Sequence, residues 1–158
     1  MEDGWKKDIT WVLIALLAVF TLQTGLKIAL HTDSPLVIVV SGSMEPVFYR
    51  GDVVLLKGIS RENIDDVHVG DVIVYTRPGY KYPIIHRVRE IREVDLGGET
   101  ERCFLTWGDN NWAPDPDYPT PYGMVPCVPA YAVEDKALLV FPKIGLIPLI
   151  IREKLGLG

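Results

Sequence analysis

A chain of 158 residues is long enough for one domain with a real core and too short for two comfortable ones. Its formal net charge is −5, and Arg87, Arg89 and Arg92 are scattered rather than massed, so no basic face offers itself to a nucleic acid. The two cysteines, Cys103 and Cys127, lack the spacing of a zinc site, and nothing else in the chain calls for a metal or cofactor.

Apolar residues make up 48% of the chain but are unevenly spread. From Thr10 to Leu30 the sequence reads TWVLIALLAVFTLQTGLKIAL, with Lys27 as the only charge. About 20 such residues cross the hydrocarbon layer as a helix. Trp11 suits one interface and Lys27 can snorkel to the other. The run is longer than the roughly 7–15 residues of a cleaved signal core, and its exit, Lys27-Ile28-Ala29-Leu30-His31, is a poor cleavage site, so we read it as an uncleaved anchor. Lys6 and Lys7 precede the span, which keeps the N-terminus cytoplasmic and exports the remainder. Residues 1–31 are thus expected to form the N-terminus and anchor, and residues 32–158 an extracytoplasmic domain. On the exported side Cys103 and Cys127 can form a disulfide; two buried small side chains are the equal alternative.

Beyond the polar linker His31-Thr32-Asp33-Ser34-Pro35, strand signals follow one another. Leu36-Val37-Ile38-Val39-Val40 is a β-branched run too short for a helix. Gly51 and Gly70 each stand before an aspartate and an apolar strand, Asp52–Leu56 and Asp71–Tyr75. Arg61–Asp66 reads as a solvated turn or a single helical turn. Arg77-Pro78-Gly79-Tyr80 breaks the chain before Ile84–Ile91, and Leu96-Gly97-Gly98-Glu99 turns that strand back into Cys103–Trp107. A loop rich in Asp, Asn and Pro spans Gly108–Tyr122, and a last strand covers Lys136–Phe141. The fold class is mainly β: a transmembrane helix followed by a compact antiparallel sheet. The tail from Ile144, interrupted by Pro148, is too short to span and reads as an interfacial piece, with a cap on the β core as the alternative.

Ser43 follows the first strand in a turn between Gly42 and Met44. A serine hydroxyl becomes a nucleophile only beside a base, and an isolated turn serine is ordinary. Of the three histidines, His31 is juxtamembrane and His68 lies in a polar turn, whereas His86 sits in the apolar stretch Ile84-Ile85-His86. An unpaired imidazole is costly there, so His86 is the candidate general base, with a satisfied core histidine as the plain alternative. The 108–122 loop supplies Asp109, Asp115 and Asp117 as candidate acceptors for its other nitrogen, although turn-making is their default role.

Five segments occur in order: Ser41-Gly42-Ser43-Met44-Glu45-Pro46, Arg50-Gly51-Asp52-Val53-Val54, Gly70-Asp71-Val72-Ile73, Ile85-His86-Arg87-Val88 and Gly108-Asp109-Asn110-Asn111. Together they resemble a type I signal peptidase of the archaeal and endoplasmic-reticulum branch, over roughly residues 10 to 140. The bacterial branch places a lysine where His86 stands. The resemblance implies a fold of the signal-peptidase type, Ser43 as nucleophile, His86 as base, Asp115 as third member and Asp109 as a supporting residue. Relatives of the endoplasmic reticulum typically show two adjacent aspartates where this chain reads Asp115-Pro116-Asp117, which leaves Asp117 as a rival to Asp115. The implied reaction is cleavage of signal peptides from exported preproteins after small-x-small residues, with no cofactor. The Ser43 N–H is the natural oxyanion donor, with the Ser41 hydroxyl as a second; a strand-end hydroxyl that bonds locally is the equal alternative for Ser41. Leu36, Val37 and Val39 are candidate pocket walls for a substrate added to the sheet edge, with core packing as the alternative. Expected partners are preprotein signal peptides and the lipid bilayer; partner subunits are not legible. The rival readings are a membrane-anchored processing protease of the same fold and a non-catalytic anchored β domain that binds an exported partner.

Overall fold

The computed structural model of the chain describes residues 2–156. Helix α1 (Glu2–Leu30) carries the long apolar run, and 27 of its residues, Gly4–Leu30, have a mean hydropathy high enough for a span, with none of that window buried against the rest of the chain. A helix whose spanning window is apolar and unburied within the described chain matches lipid as its surroundings.

Nine strands follow among the described residues: β1 (Leu36–Ile38), β2 (Val53–Gly58), β3 (Val72–Tyr75), β4 (Ile84–Leu96), β5 (Glu99–Trp107), β6 (Tyr118–Thr120), β7 (Gly123–Val125), β8 (Val128–Pro129) and β9 (Val133–Phe141). Seven form one antiparallel sheet in the order β1-β2-β9-β3-β4-β5-β8, and β6 and β7 make a separate hairpin. The expected mainly β domain is therefore present. Turn chemistry fixes the longest hairpin: Leu96 pairs with Glu99 across Gly97 and Gly98, both at positive φ, as a two-residue turn of this hand requires.

The sheet curls around two apolar clusters. One gathers Ile73, Tyr75, Val88, Phe104, Val128 and Val133; the other joins Val39, Met44 and Phe48 to Val54, Leu56, Val72 and Val74. Burying a side chain of this size contributes about 1.5–3 kcal/mol. The second cluster matters for chemistry, because Met44 and Phe48 hold the turn that carries Ser43. Cys103 and Cys127 are joined in a disulfide that ties β5 to the residue before β8. That settles the alternative left open by the sequence.

Several elements depart from the sequence expectations. The first strand stops at Ile38, and β4 runs five residues past Ile91 before reaching its glycine turn. The loop after Gly108 contains β6, a three-residue strand with a central proline, too short for any periodicity to announce. The segment Ile64–Asp66 is a single 3₁₀ turn, one of the two forms expected. The tail forms a helix, α2 (Leu146–Lys154). Pro148 is tolerated there because it lies in the first turn, where its missing N–H has no intrahelical acceptor. Leu149 is buried as a cap on the domain, while Ile147, Ile150 and Ile151 remain exposed.

Candidate active site

Ser43 is presented by a short turn with two anchors. Below it, Met44 and Phe48 are buried in the apolar cluster, and the N–H groups of Val47 and Phe48 both donate to the Met44 carbonyl. At its far end buried Asp52 accepts hydrogen bonds from the backbone N–H groups of Tyr49 and Lys143. The turn is also gripped from the 108–115 loop. The Asn110 backbone N–H donates to the Ser43 carbonyl at 2.8 Å, and its side-chain amide to the Gly42 carbonyl at 3.0 Å.

His86 reaches the same place from β4, opposite Ile73 of β3, and is buried. Its Nε2 lies 3.1 Å from Ser43 Oγ. Its Nδ1 lies 2.8 and 2.7 Å from the two Asp115 carboxylate oxygens. Hydroxyl, imidazole and carboxylate, spread over 73 positions of sequence, thus form one hydrogen-bonded line. Asp115, rather than Asp117, occupies the third position: the Asp115 N–H donates to the Thr106 carbonyl at 2.9 Å, which seats the loop on β5, whereas the Asp117 side chain is exposed. Ser41 Oγ stands 3.3 Å from Ser43 Oγ.

Two residues that the sequence reading did not single out complete the site. The Tyr75 hydroxyl donates to Asp115 Oδ2 at 2.8 Å and the Thr106 hydroxyl to the same oxygen at 2.7 Å. Both are buried strand residues whose polar ends take the only role a buried hydroxyl tolerates, a hydrogen bond. Burial, and then the neighbouring Asp115 charge, push the Tyr75 phenol above its ordinary range, so it stays a donor. Gly108 has a steric task that its place in the Gly108–Asn111 segment did not reveal. A Cβ there would collide with the Ser43 carbonyl oxygen and stand 3.0 Å from His86 Nε2, so the loop can close on the nucleophile only without a side chain.

Asp109 takes a different place from the line of three. Its carboxylate accepts from Arg87 Nε at 2.8 Å, Arg87 Nη2 at 2.6 Å and Arg89 Nη2 at 2.6 Å. The Arg87 hydrogen bonds hold its carboxyl below the usual aspartate range. Asp109 therefore braces the start of the loop against β4 and does not hydrogen-bond the imidazole. His68, as expected, is a surface residue, with Nδ1 near the Asp66 carbonyl.

An open cleft of about 1560 Å³ runs past Ser43, His86 and Asp115. Of the three expected wall residues, Val37 and Val39 line it, whereas Leu36, at the start of β1, is 49% exposed and off the lining. The other wall is the β3–β4 connection, Tyr80 to Ile85. Among the described residues no cluster of His, Cys, Asp and Glu is arranged to hold a metal ion.

No protein-family model matches the chain. Curated relatives do. The signal peptidase complex catalytic subunit SEC11 of Eremothecium gossypii is 37% identical over 148 residues, which cover 90% of this chain and 80% of the relative. The chain belongs to the type I signal peptidases of the endoplasmic-reticulum type. The SEC11 subunit of Colletotrichum graminicola agrees, at 34% identity over 141 residues covering 85% of this chain and 73% of that one. Against the SEC11 subunit of Chaetomium globosum the identity rises to 42% over 96 residues, and there the chain spans about half of the relative, 52% of its length. The signal-peptidase family membership fits a histidine, rather than a lysine, beside the serine.

Proposed function

We propose that the chain is a membrane-bound serine endopeptidase that removes signal peptides from exported preproteins. The observation that carries this reading is the Ser43–His86–Asp115 line, with its 3.1 Å and 2.7–2.8 Å links, in a chain of signal-peptidase family. Ser43 Oγ attacks the scissile carbonyl carbon while its proton passes to His86 Nε2. Asp115 orients the ring through Nδ1 and offsets the charge of the imidazolium so formed. His86 then returns the proton to the leaving amine, the C–N bond breaks, and the signal peptide remains as an ester on Ser43. Water, deprotonated by His86, hydrolyses that ester. The Ser43 backbone N–H and the Ser41 hydroxyl serve the developing oxyanion; such a donor typically lowers the barrier by about 3 kcal/mol.

Val37 and Val39 form one wall of the pockets for alternate substrate side chains, which favours small residues at the two positions facing them. Helix α1 crosses the cell membrane once, with Lys6 and Lys7 on the cytoplasmic side, so residues 1–31 anchor and residues 32–158 catalyse outside the cytoplasm. Helix α2 lies at the interface, with Ile147, Ile150 and Ile151 toward the acyl boundary and Arg152 and Lys154 at headgroup level. The relatives are named as subunits of a signal peptidase complex, and we assign this chain a place beside partner subunits on the same grounds.

The test is cleavage of a preprotein by the full chain in liposomes. Ser43→Ala is expected to reduce cleavage by about 10⁶-fold while leaving the circular dichroism spectrum intact. Retained cleavage in that variant would refute the assignment.

A further inference from the structure

Strand register places one end of the sheet beside the anchor. Gly58 at the end of β2 pairs with Asp135 of β9, Val133 of β9 with Tyr75 of β3, and Tyr75 with Ile84 of β4. Gly58 also lies so close to the His31 carbonyl that a Cβ there would collide with it. The connection from β3 to β4 therefore projects from the sheet end that α1 meets, across the order β2-β9-β3-β4. None of the spanning window of α1 is buried against the domain, so the helix leaves at this end and the bilayer surface lies nearest to it. The far end of β4 is 13 residues away, about 40 Å along the strand.

The connection reads Thr76-Arg77-Pro78-Gly79-Tyr80-Lys81-Tyr82-Pro83 and contains no carboxylate. Its root is fastened: Arg77 donates to the Pro116 and Asp117 carbonyls, and the Tyr80 N–H closes a turn on the Arg77 carbonyl. Its tip is bare. Every residue from Pro78 to Pro83 is exposed, Tyr80 at 57% and Tyr82 at 45%. Arg77 stands over the Tyr80 ring at 5.6 Å and Lys81 over the Tyr82 ring at 5.1 Å. Tyrosines of this kind, apolar along the ring and polar at the hydroxyl, favour the headgroup layer of a membrane. The Lys81 hydrogen bond, with the Arg152 charge of α2 as a further influence, lowers the Tyr82 phenol from its ordinary range. The loop tip and α2 are thus neighbours, and with His31 they line one cleft. Asp33 and Glu134 are exposed on the α1 side of the same end, so net charge does not select this surface; the amphipathic rings do.

We propose that Tyr80, Lys81 and Tyr82 form a membrane contact of the domain, with both rings at the headgroup level of the bilayer that holds α1. The occupant is the lipid surface, because the loop continues the rim at which α1 leaves the domain and beside which α2 lies. The proposal rests on the reading of α1 as a span and adds to it an element that the anchor alone does not require. With α1, α2 and the loop all seated, the mouth of the cleft opens onto lipid. A membrane-bound substrate then passes toward Ser43 without its apolar part crossing open water.

The experiment attaches a fluorophore to Lys81→Cys in the full chain, reconstituted in phosphatidylcholine liposomes. Quenching is read with nitroxides on the lipid headgroup and with aqueous iodide. Labels on Glu99→Cys, at the far end of the β4–β5 hairpin, and on Leu17→Cys, within α1, are the references for water and for the acyl core. The Lys81 label is expected to be quenched about fivefold more by headgroup nitroxide than the Glu99 label, and about fivefold less by iodide. Combining Tyr80→Ser with Tyr82→Ser is expected to bring both ratios to within about twofold, which separates the pull of the rings from that of the fluorophore. A Lys81 label as open to iodide as the Glu99 label, or shielding that survives the loss of both rings, overturns the loop contact. A Leu17 label untouched by nitroxides deep in the acyl chains overturns the span and the contact together. Should Lys81→Cys fail to fold, Pro78→Cys on the same exposed stretch gives the same readout.

Discussion

Asp115 and Asp135 line the same cleft, both largely withdrawn from water, and their surroundings are opposite. Asp115 receives His86 Nδ1, the Tyr75 hydroxyl and the Thr106 hydroxyl, and its own N–H is tied to β5. Asp135 is buried near Asp33, and one of its oxygens has no donor among the described residues. A carboxylate saturated by fixed donors has no freedom to move or to take a ligand; it can only orient what already touches it. One without such donors has no orienting task. The difference lies in surroundings alone and requires no difference in residue type.

The largest effect that sharpens this contrast comes from Asp115→Asn. An amide in place of the carboxylate leaves the geometry but favours the wrong imidazole tautomer, and kcat for preprotein cleavage is expected to fall by about 10⁴. A fall of less than tenfold would place Asp115 with Asp135 as a non-catalytic wall group. Next in size, Tyr75→Phe and Thr106→Val each remove one donor from Asp115 and make it resemble Asp135. We expect kcat to drop about three- to tenfold in each, KM to stay unchanged, and the double variant to lose more than either. Equal changes in KM would show that the two hydroxyls hold the cleft wall rather than the carboxylate.

The smallest effects concern stability and run with opposite signs. Asp109 has its folded-state pKa depressed by Arg87, so the stability it contributes is present above the ordinary aspartate value and is lost as pH falls through the depressed one. Asp109→Asn should therefore lower Tm at pH 7 and cease to matter in strong acid, as thermal melts across pH will report. Asp135 has its folded-state pKa raised by burial, so it favours folding most below its unfolded value and less as pH rises through the raised one. Asp135→Asn should raise Tm at pH 7, by about 2–4 °C for each kcal/mol recovered, and leave it unchanged in acid.

Much of this molecule is legible in the sequence where one residue type has one use. The apolar run of α1, the Gly-Asp turns before β2 and β3 and the paired glycines between β4 and β5 each announce an element locally. Ser43, His86 and Asp115 were readable because five motifs stand in the order that the family keeps, not because spacing reveals contact. What stayed hidden depends on tertiary position. Tyr75 and Thr106 look like strand residues because they are strand residues; only the fold turns their hydroxyls onto Asp115. The β6–β7 hairpin and β8 are two or three residues long, below any periodicity, and α2 was masked by a proline that happens to fall in its first turn. Val37 and Val39 line the cleft and Leu36 does not, a distinction that the apolar run from Leu36 to Val40 does not display.

The junction between α1 and the sheet carries a consequence for reach. Eleven residues from Thr32 to Gly42 would make a loose leash if they were free, yet β1 is zipped to β2 and the His31 carbonyl abuts Gly58 so closely that any side chain there would collide with it. The Ser43 turn is thus mounted on a rigid post rather than a string. On the proposed reading its height over the lipid is a fixed ruler, and a substrate would be cut only where its own length brought a small residue up to that mark.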